Sequence, residues 1–114
     1  MAQTRAEILQ GTLDLMVLKT LDVMGPMHGY GLARRIEQLS DEALQVSQGT
    51  IYLCLVRLVQ KGWIRAEWGT SENNRRAKFY ALSRAGRKQL VTETRNWERV
   101  SGIIGKLLQL GPGG

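Results

Sequence analysis

The side chains best equipped for chemistry in this chain are its cations. Nine stand between Arg57 and Lys88 (Arg57, Lys61, Arg65, Arg75, Arg76, Lys78, Arg84, Arg87 and Lys88), opposed only by Glu67 and Glu72. The rest of the chain holds seven basic and eight acidic residues, so the formal charge of +6 is concentrated in one stretch. A solvated basic face is one reading of such a run. A polyanionic partner is the other, because clustered Lys and Arg side chains neutralise phosphates. Bond-making chemistry is poorly served. His28 is the only histidine and Cys54 the only cysteine, so neither a catalytic triad nor a histidine-rich metal site can be assembled. The carboxylates are not grouped for acid–base work. No enzyme activity, metal or cofactor is expected.

These residues need elements to position them. The 114 residues suffice for one compact domain. The period of the apolar residues predicts a helix over about 5–24, rich in Leu9, Leu13, Met16 and Leu21 and ended by Gly25-Pro26. A second helix is expected over about 30–40, with Leu32, Ile36 and Leu39 inward. Ser47 is a suitable N-cap for a third over about 48–61, which stops at Gly62. Its inner face is expected to carry Ile51, Leu55, Leu58 and Val59. The alternation Ile64-Arg65-Ala66-Glu67-Trp68 and the run from Ala77 to Leu82 read as a hairpin over about 63–82, with a polar, basic tip. Trp63 and Trp68 are expected to anchor it on the helices. Ser83 can cap a last helix reaching about Leu110, and residues 111–114 have the composition of a flexible tail. The turn Pro26-Met27-His28-Gly29-Tyr30-Gly31 gives His28 a structural role, its imidazole satisfying backbone groups ahead of the second helix. Cys54 reads as a small packing residue.

Three helices followed by a hairpin is the layout of a winged helix-turn-helix, here mainly α with a small β-hairpin. A helix fits the major groove of B-DNA, whose base edges are distinguishable, and a basic hairpin beside it can reach phosphates or the adjacent minor groove. At about 100° per residue, the open face of the third helix centres on Leu53 and includes Gly49, Thr50, Arg57 and Gln60. The expected DNA-binding residues are Gln48, Gly49, Thr50, Tyr52, Leu53, Arg57 and Lys61 on that helix, with Arg75, Arg76 and Lys78 on the hairpin. Thr50 suits a base or a thymine methyl, and Arg57 a guanine or a phosphate. Leu90, Trp97, Ile104 and Leu108 form a heptad-like seam on the last helix, a surface suited to a homodimer interface. The chain thus divides into a winged-helix domain over 1–82, a dimerisation helix over 83–110 and the tail.

The runs Gly25-Pro26-Met27-His28-Gly29-Tyr30-Gly31-Leu32-Ala33, Val46-Ser47-Gln48-Gly49-Thr50-Ile51-Tyr52 and Arg76-Ala77-Lys78-Phe79-Tyr80-Ala81-Leu82-Ser83-Arg84-Ala85-Gly86 resemble the PadR family of transcriptional regulators. The likeness extends from Gly11 to about Trp97 and is to the short members, which have a single C-terminal helix. It implies a winged helix that dimerises through its last helix, packed partly against the first. It also implies repression of nearby genes, relieved in some members by phenolic acids or flat lipophilic drugs. Trp97 matches the tryptophan that multidrug-binding relatives place at the dimer centre, which makes it a candidate contact for a small aromatic effector. The likeness fails in the third helix, where relatives carry proline, alanine, histidine and an acidic residue. Leu53, Cys54, Val56 and Val59 stand there instead. An exposed Leu53 could meet thymine methyls, or it could mark altered or weakened DNA binding.

The expected function is therefore sequence-specific binding of double-stranded operator DNA by a homodimeric repressor. The alternative is a winged-helix protein-interaction module with weakened or lost DNA binding. A cytoplasmic location is expected: Met1–Glu7 lacks the pattern of a secretory signal, Cys54 has no partner for an internal disulfide, and Asp14, Lys19 and Asp22 interrupt any membrane span.

Overall fold

The computed structural model describes residues 10–113 of the chain. Arg5–Leu9 of the expected first helix and Gly114 of the expected tail lie outside the described residues. Helix α1, Gln10–Met24, buries Leu13, Val17, Leu18 and Leu21. Gly25 adopts a left-handed φ of 83° and donates its N–H to the Leu21 carbonyl at 3.0 Å, which closes the helix. A two-residue strand, β1, Met27–His28, follows directly. His28 is then the N-cap of α2, Gly29–Leu39, and its Nδ1 accepts the Gly31 N–H at 3.0 Å. An imidazole thus satisfies one of the amides that a helix start leaves unpaired.

The link from α2 to α3 is held by ion pairs. Arg34 reaches both Glu37 at 3.0 Å and Glu42 at 3.1 Å, and the Val46 N–H donates to Glu37 Oε2 at 2.8 Å. These contacts hold Asp41 and Glu42 in the left-handed region, at φ 57° and 64°. Ser47 caps α3, Gln48–Gln60, by accepting the Thr50 N–H at 3.1 Å. The inner face of α3 is Ile51, Cys54, Leu55 and Leu58. Cys54 takes the place expected for Val59, which is exposed because it lies one step too far around the helix.

Strands β2, Ile64–Thr70, and β3, Arg76–Leu82, pair antiparallel from Ile64↔Leu82 to Thr70↔Arg76. Both reach further toward the tip than the alternation indicated. The sheet also has a third strand where only a hairpin was expected. β1 pairs with β3 through Met27↔Tyr80 and His28↔Phe79, giving the order β1-β3-β2. The sheet therefore fastens the start of α2 to the base of the wing. Helix α4, Arg84–Leu108, is capped by Ser83, whose Oγ accepts the Gly86 N–H at 2.9 Å and donates to the Gly62 carbonyl at 2.6 Å.

One core joins the three first helices to the sheet, with Leu18, Leu32, Ile51, Leu55, Leu58 and Ile64 fully enclosed. Leu90 of α4 belongs to it. That corrects the expectation of an interface role, since at 7% exposure its side chain has nothing left to offer a second chain. The first turns of α4 lie on α1, helped by an Arg87–Asp22 pair at 3.0 Å, whereas its later turns expose their apolar side chains. The arrangement is a winged helix with one long additional helix.

Two glycines of α4 should respond oppositely to substitution. A Cβ on Gly86 would lie 1.9 Å from the Trp63 carbonyl oxygen, whereas one on Gly102 meets nothing within 4 Å. Gly86→Ala is expected to destabilise the fold by about 2–3 kcal/mol, because backbone must move. Gly102→Ala is expected to stabilise it by up to about 1 kcal/mol, because the unfolded chain loses freedom. Urea denaturation of the two variants checks both signs.

Candidate nucleic-acid interface

The rotation of α3 about its own axis decides which side chains it presents, and an acidic residue of α1 helps to set that rotation. Asp14 is buried. Its Oδ1 accepts from the Cys54 thiol at 3.2 Å and from Nη2 of Arg57. A carboxylate removed from water requires such partners, since an unpaired buried charge is strongly unfavourable. Burial, and then the hydrogen bond to Asp14, push the Cys54 thiol up to about 12. It stays protonated and acts as a donor. The Asp14 hydrogen bond raises Arg57 above its usual value as well, which keeps the guanidinium charged.

With α3 fixed in this way, Gln48, Gly49, Thr50, Tyr52, Leu53, Val59 and Gln60 face outward and Val56 is half-buried. Leu53 is 64% exposed. Thr50 also shares a hydrogen bond with the Ser47 hydroxyl at 2.9 Å, so its side chain is oriented by the cap. Arg57 departs from the sequence reading. Its side chain is only 24% exposed and turns to Asp14 rather than standing free on the outer face. Lys61, just beyond the helix, lies with its Nζ 4.7 Å from the Trp63 ring centre, at the root of the wing.

The wing carries a feature that the sequence reading assigned differently. Trp68 does not anchor the hairpin. It is 59% exposed, with the Arg76 guanidinium 4.5 Å and the Lys78 Nζ 5.8 Å from its ring centre. The strand register explains this. Trp68 is directly opposite Lys78, and Arg76 is the diagonal neighbour on the same face. The alternation of Ile64, Ala66 and Trp68 places all three on one face, but the helices cover only the first two. Pairing the strands outward from the turn was the signal that could have found the cluster. Arg75 lies in the tip, where its carbonyl accepts the Ser71 N–H at 2.8 Å and Asn74 takes a φ of 59°. Asn tolerates that conformation better than most residues. The result is an aromatic plate bearing two cations, with a third cation at the turn.

A second region of interest lies away from the wing. Trp97, Val100, Ile103, Ile104, Leu107 and Leu108 are all exposed on α4, Trp97 at 55%. An apolar groove of about 450 Å³ opens between α1 and α2, with Thr94 of α4 at its edge, lined by Leu15, Met16, Ile36, Leu39 and Leu44 among others. Trp97, Ile104 and Leu108 thus share an open apolar surface, from which Leu90 is absent. Among the described residues no cluster of His, Cys, Asp and Glu could hold a metal ion, and no helix is long and apolar enough to cross a membrane.

Comparison with known proteins agrees with this geometry. The sequence pattern of the transcriptional regulator PadR-like family matches residues 17–92. A transcriptional regulator from Clostridium thermocellum superposes with a TM-score of 0.80 at 25% identity, over 91% of this chain and 100% of that one. A PadR-like transcriptional regulator from Bacillus cereus gives 0.77 at 25% identity, over 93% and 100%. An uncharacterized protein of Lysinibacillus sphaericus is 26% identical over 100 residues, which are 88% of this chain and 91% of that protein.

The Asp14–Arg57 pair should behave as a coupled unit. Asp14→Ala or Arg57→Met alone is expected to destabilise the fold by about 2–3 kcal/mol, below the usual range for a fully buried pair because Arg57 keeps some contact with water. The double variant should lose less than the sum, with a coupling of about 1 kcal/mol or more in urea denaturation. Simple additivity would show that the pair does not fix α3.

Proposed function

The chain belongs to the PadR-like family of transcriptional regulators, DNA-binding proteins and not enzymes, and from that premise we propose that it is a cytoplasmic repressor that binds operator DNA as a homodimer. The observation that carries the reading is the pairing of an outward-facing polar first turn of α3, Gln48 to Thr50, with a wing whose Arg76 and Lys78 lie against Trp68. In this reading α3 enters the major groove, with Gln48, Gly49, Thr50, Tyr52 and Leu53 nearest the bases. Lys61, Arg75, Arg76 and Lys78 take the phosphates, which fix register without reading sequence. Trp68 holds two of those cations in place before DNA arrives, so less side-chain freedom is lost on binding. Arg57 serves α3 from behind, through Asp14.

The exposed apolar surface of α4 supports the dimer. A long helix that leaves Trp97, Val100, Ile104 and Leu107 in water lacks a partner. A second copy of α4 covers it, with the groove between α1 and α2 receiving part of the same helix. Two-fold symmetry then gives two α3 helices for two half-sites. Trp97 would lie near the axis, where a flat aromatic effector could stack on it. The opposing reading, a module that docks on another protein through α3, draws on the apolar Leu53, Val56 and Val59. It leaves the cationic wing without a purpose.

Replacing Arg75 and Arg76 by alanine is expected to weaken binding to all duplexes alike. It should also reduce the slope of log affinity against log salt by about one unit for each phosphate that is no longer neutralised. Thr50→Ala should instead change which duplexes are preferred. Fluorescence anisotropy on a panel of duplexes across salt concentrations checks both, and salt-independent binding, or none, would exclude the proposal. Ile104→Glu should split the dimer, because it places an unpaired charge in an apolar contact. Light scattering at micromolar concentration is expected to give twice the chain mass for the wild type and the single chain mass for the variant.

A further inference from the structure

The outer face of α3 is unusual for a helix that reads DNA. Arg57 is the only charged residue from Gln48 to Gln60, and Asp14 holds it at the inner edge. A guanine is most often recognised by a free guanidinium or ammonium that forks onto O6 and N7, and α3 has none to offer. Its open stripe runs Gly49, Leu53, Val56, Gln60, positions that succeed one another on one side of a helix. Leu53 is 64% exposed and Val56 is half-buried. Gly49 adds no side chain at the first turn, with open space where a Cβ would be, so the backbone there can come close to a partner. The stripe is apolar at its centre and polar at its ends.

Resting on the DNA-binding reading above, we infer that this face is a thymine-methyl reader: Leu53 and Val56 lie against the C5-methyl groups of neighbouring thymines in each half-site, and Arg57 makes no base contact. The methyl of thymine is the one apolar group that a base pair presents in the major groove. Three residues of helix advance about 4.5 Å, close to the roughly 3.4 Å between successive bases of one strand, so two side chains three apart can meet adjacent thymines. Charge complementarity selects DNA over an apolar protein surface as the occupant. α3 carries no acidic residue, and the wing presents Arg76 and Lys78 stacked on Trp68. A site built this way favours A·T pairs at its centre through methyl contact and leaves any G·C preference to Gln48, Thr50 and Gln60.

The experiment uses the full chain and a duplex recovered by repeated selection from a random pool. Anisotropy at fixed salt compares that duplex with versions in which single thymines are replaced by deoxyuridine, which removes the methyl and keeps the pairing. Wild type is expected to lose about fivefold in affinity at one or two positions per half-site, the low end of a single base contact. Leu53→Ala, a change at an exposed residue, should bind the thymine duplex about fivefold more weakly and no longer distinguish it from the uracil version at one of those positions. Val56→Ala should do the same at the adjacent one. Equal affinity of wild type for thymine and uracil versions, with salt-dependent binding retained, overturns the inference and leaves the DNA-binding reading intact. Failure to bind any duplex defeats both.

Discussion

A single carboxylate helps to set how α3 is presented. Asp14 lies in the core side of α1 and accepts from two side chains of α3, Cys54 and Arg57. Apolar packing alone specifies that Ile51, Leu55 and Leu58 point inward, but such packing tolerates small rotations and repacking. A charge-assisted hydrogen bond does not, because its donors must stay in line with the acceptor. The same contact has a chemical consequence. It takes the one cation of α3 out of the solvent-facing set, so the helix presents hydroxyls, amides and hydrocarbon instead of charge.

Positive charge is then left to the wing, and the sheet explains how that element is held. β1 is only two residues long, yet it pairs with β3 and so connects the His28-capped start of α2 to the strand that carries Arg76 and Lys78. At the other end, Ser83 bonds to the Gly62 carbonyl while Gly86 lets α4 pass close to the Trp63 carbonyl. The base of the wing is thus tied to α2, α3 and α4. α1 is a shared support: it meets α3 through Asp14 and α4 through Asp22 and Arg87. In the proposed dimer, a change in the packing of α4 therefore has a short structural route to α3.

Local chemistry was the legible part of the sequence. Ser47, Ser83, Gly25 and Gly62 mark helix ends through contacts made within a few residues, and the structure has caps or stops at all four. His28 was readable for the same reason. What escaped depended on residues far apart in the chain. The Asp14–Arg57 pair spans 43 positions, and β1 has no periodicity of its own to reveal a strand. Leu90 and Trp97 share one heptad seam, but only the structure shows that α1 covers the first and not the second. Trp68 is exposed where an anchor was expected, because alternation tells which face a residue takes and not how far the covering helices extend.

In the proposed assembly α3 and the wing together form one duplex-binding surface, present twice in a symmetric dimer. Hydroxyl-radical footprinting of a bound duplex tests it most directly. Two equivalent protected regions are expected, related by two-fold symmetry and centred about one helical turn apart, each with a flanking protection that disappears when Arg75 and Arg76 are replaced by alanine. One unpaired protected region, or an unprotected duplex at concentrations where the protein is dimeric, would contradict it.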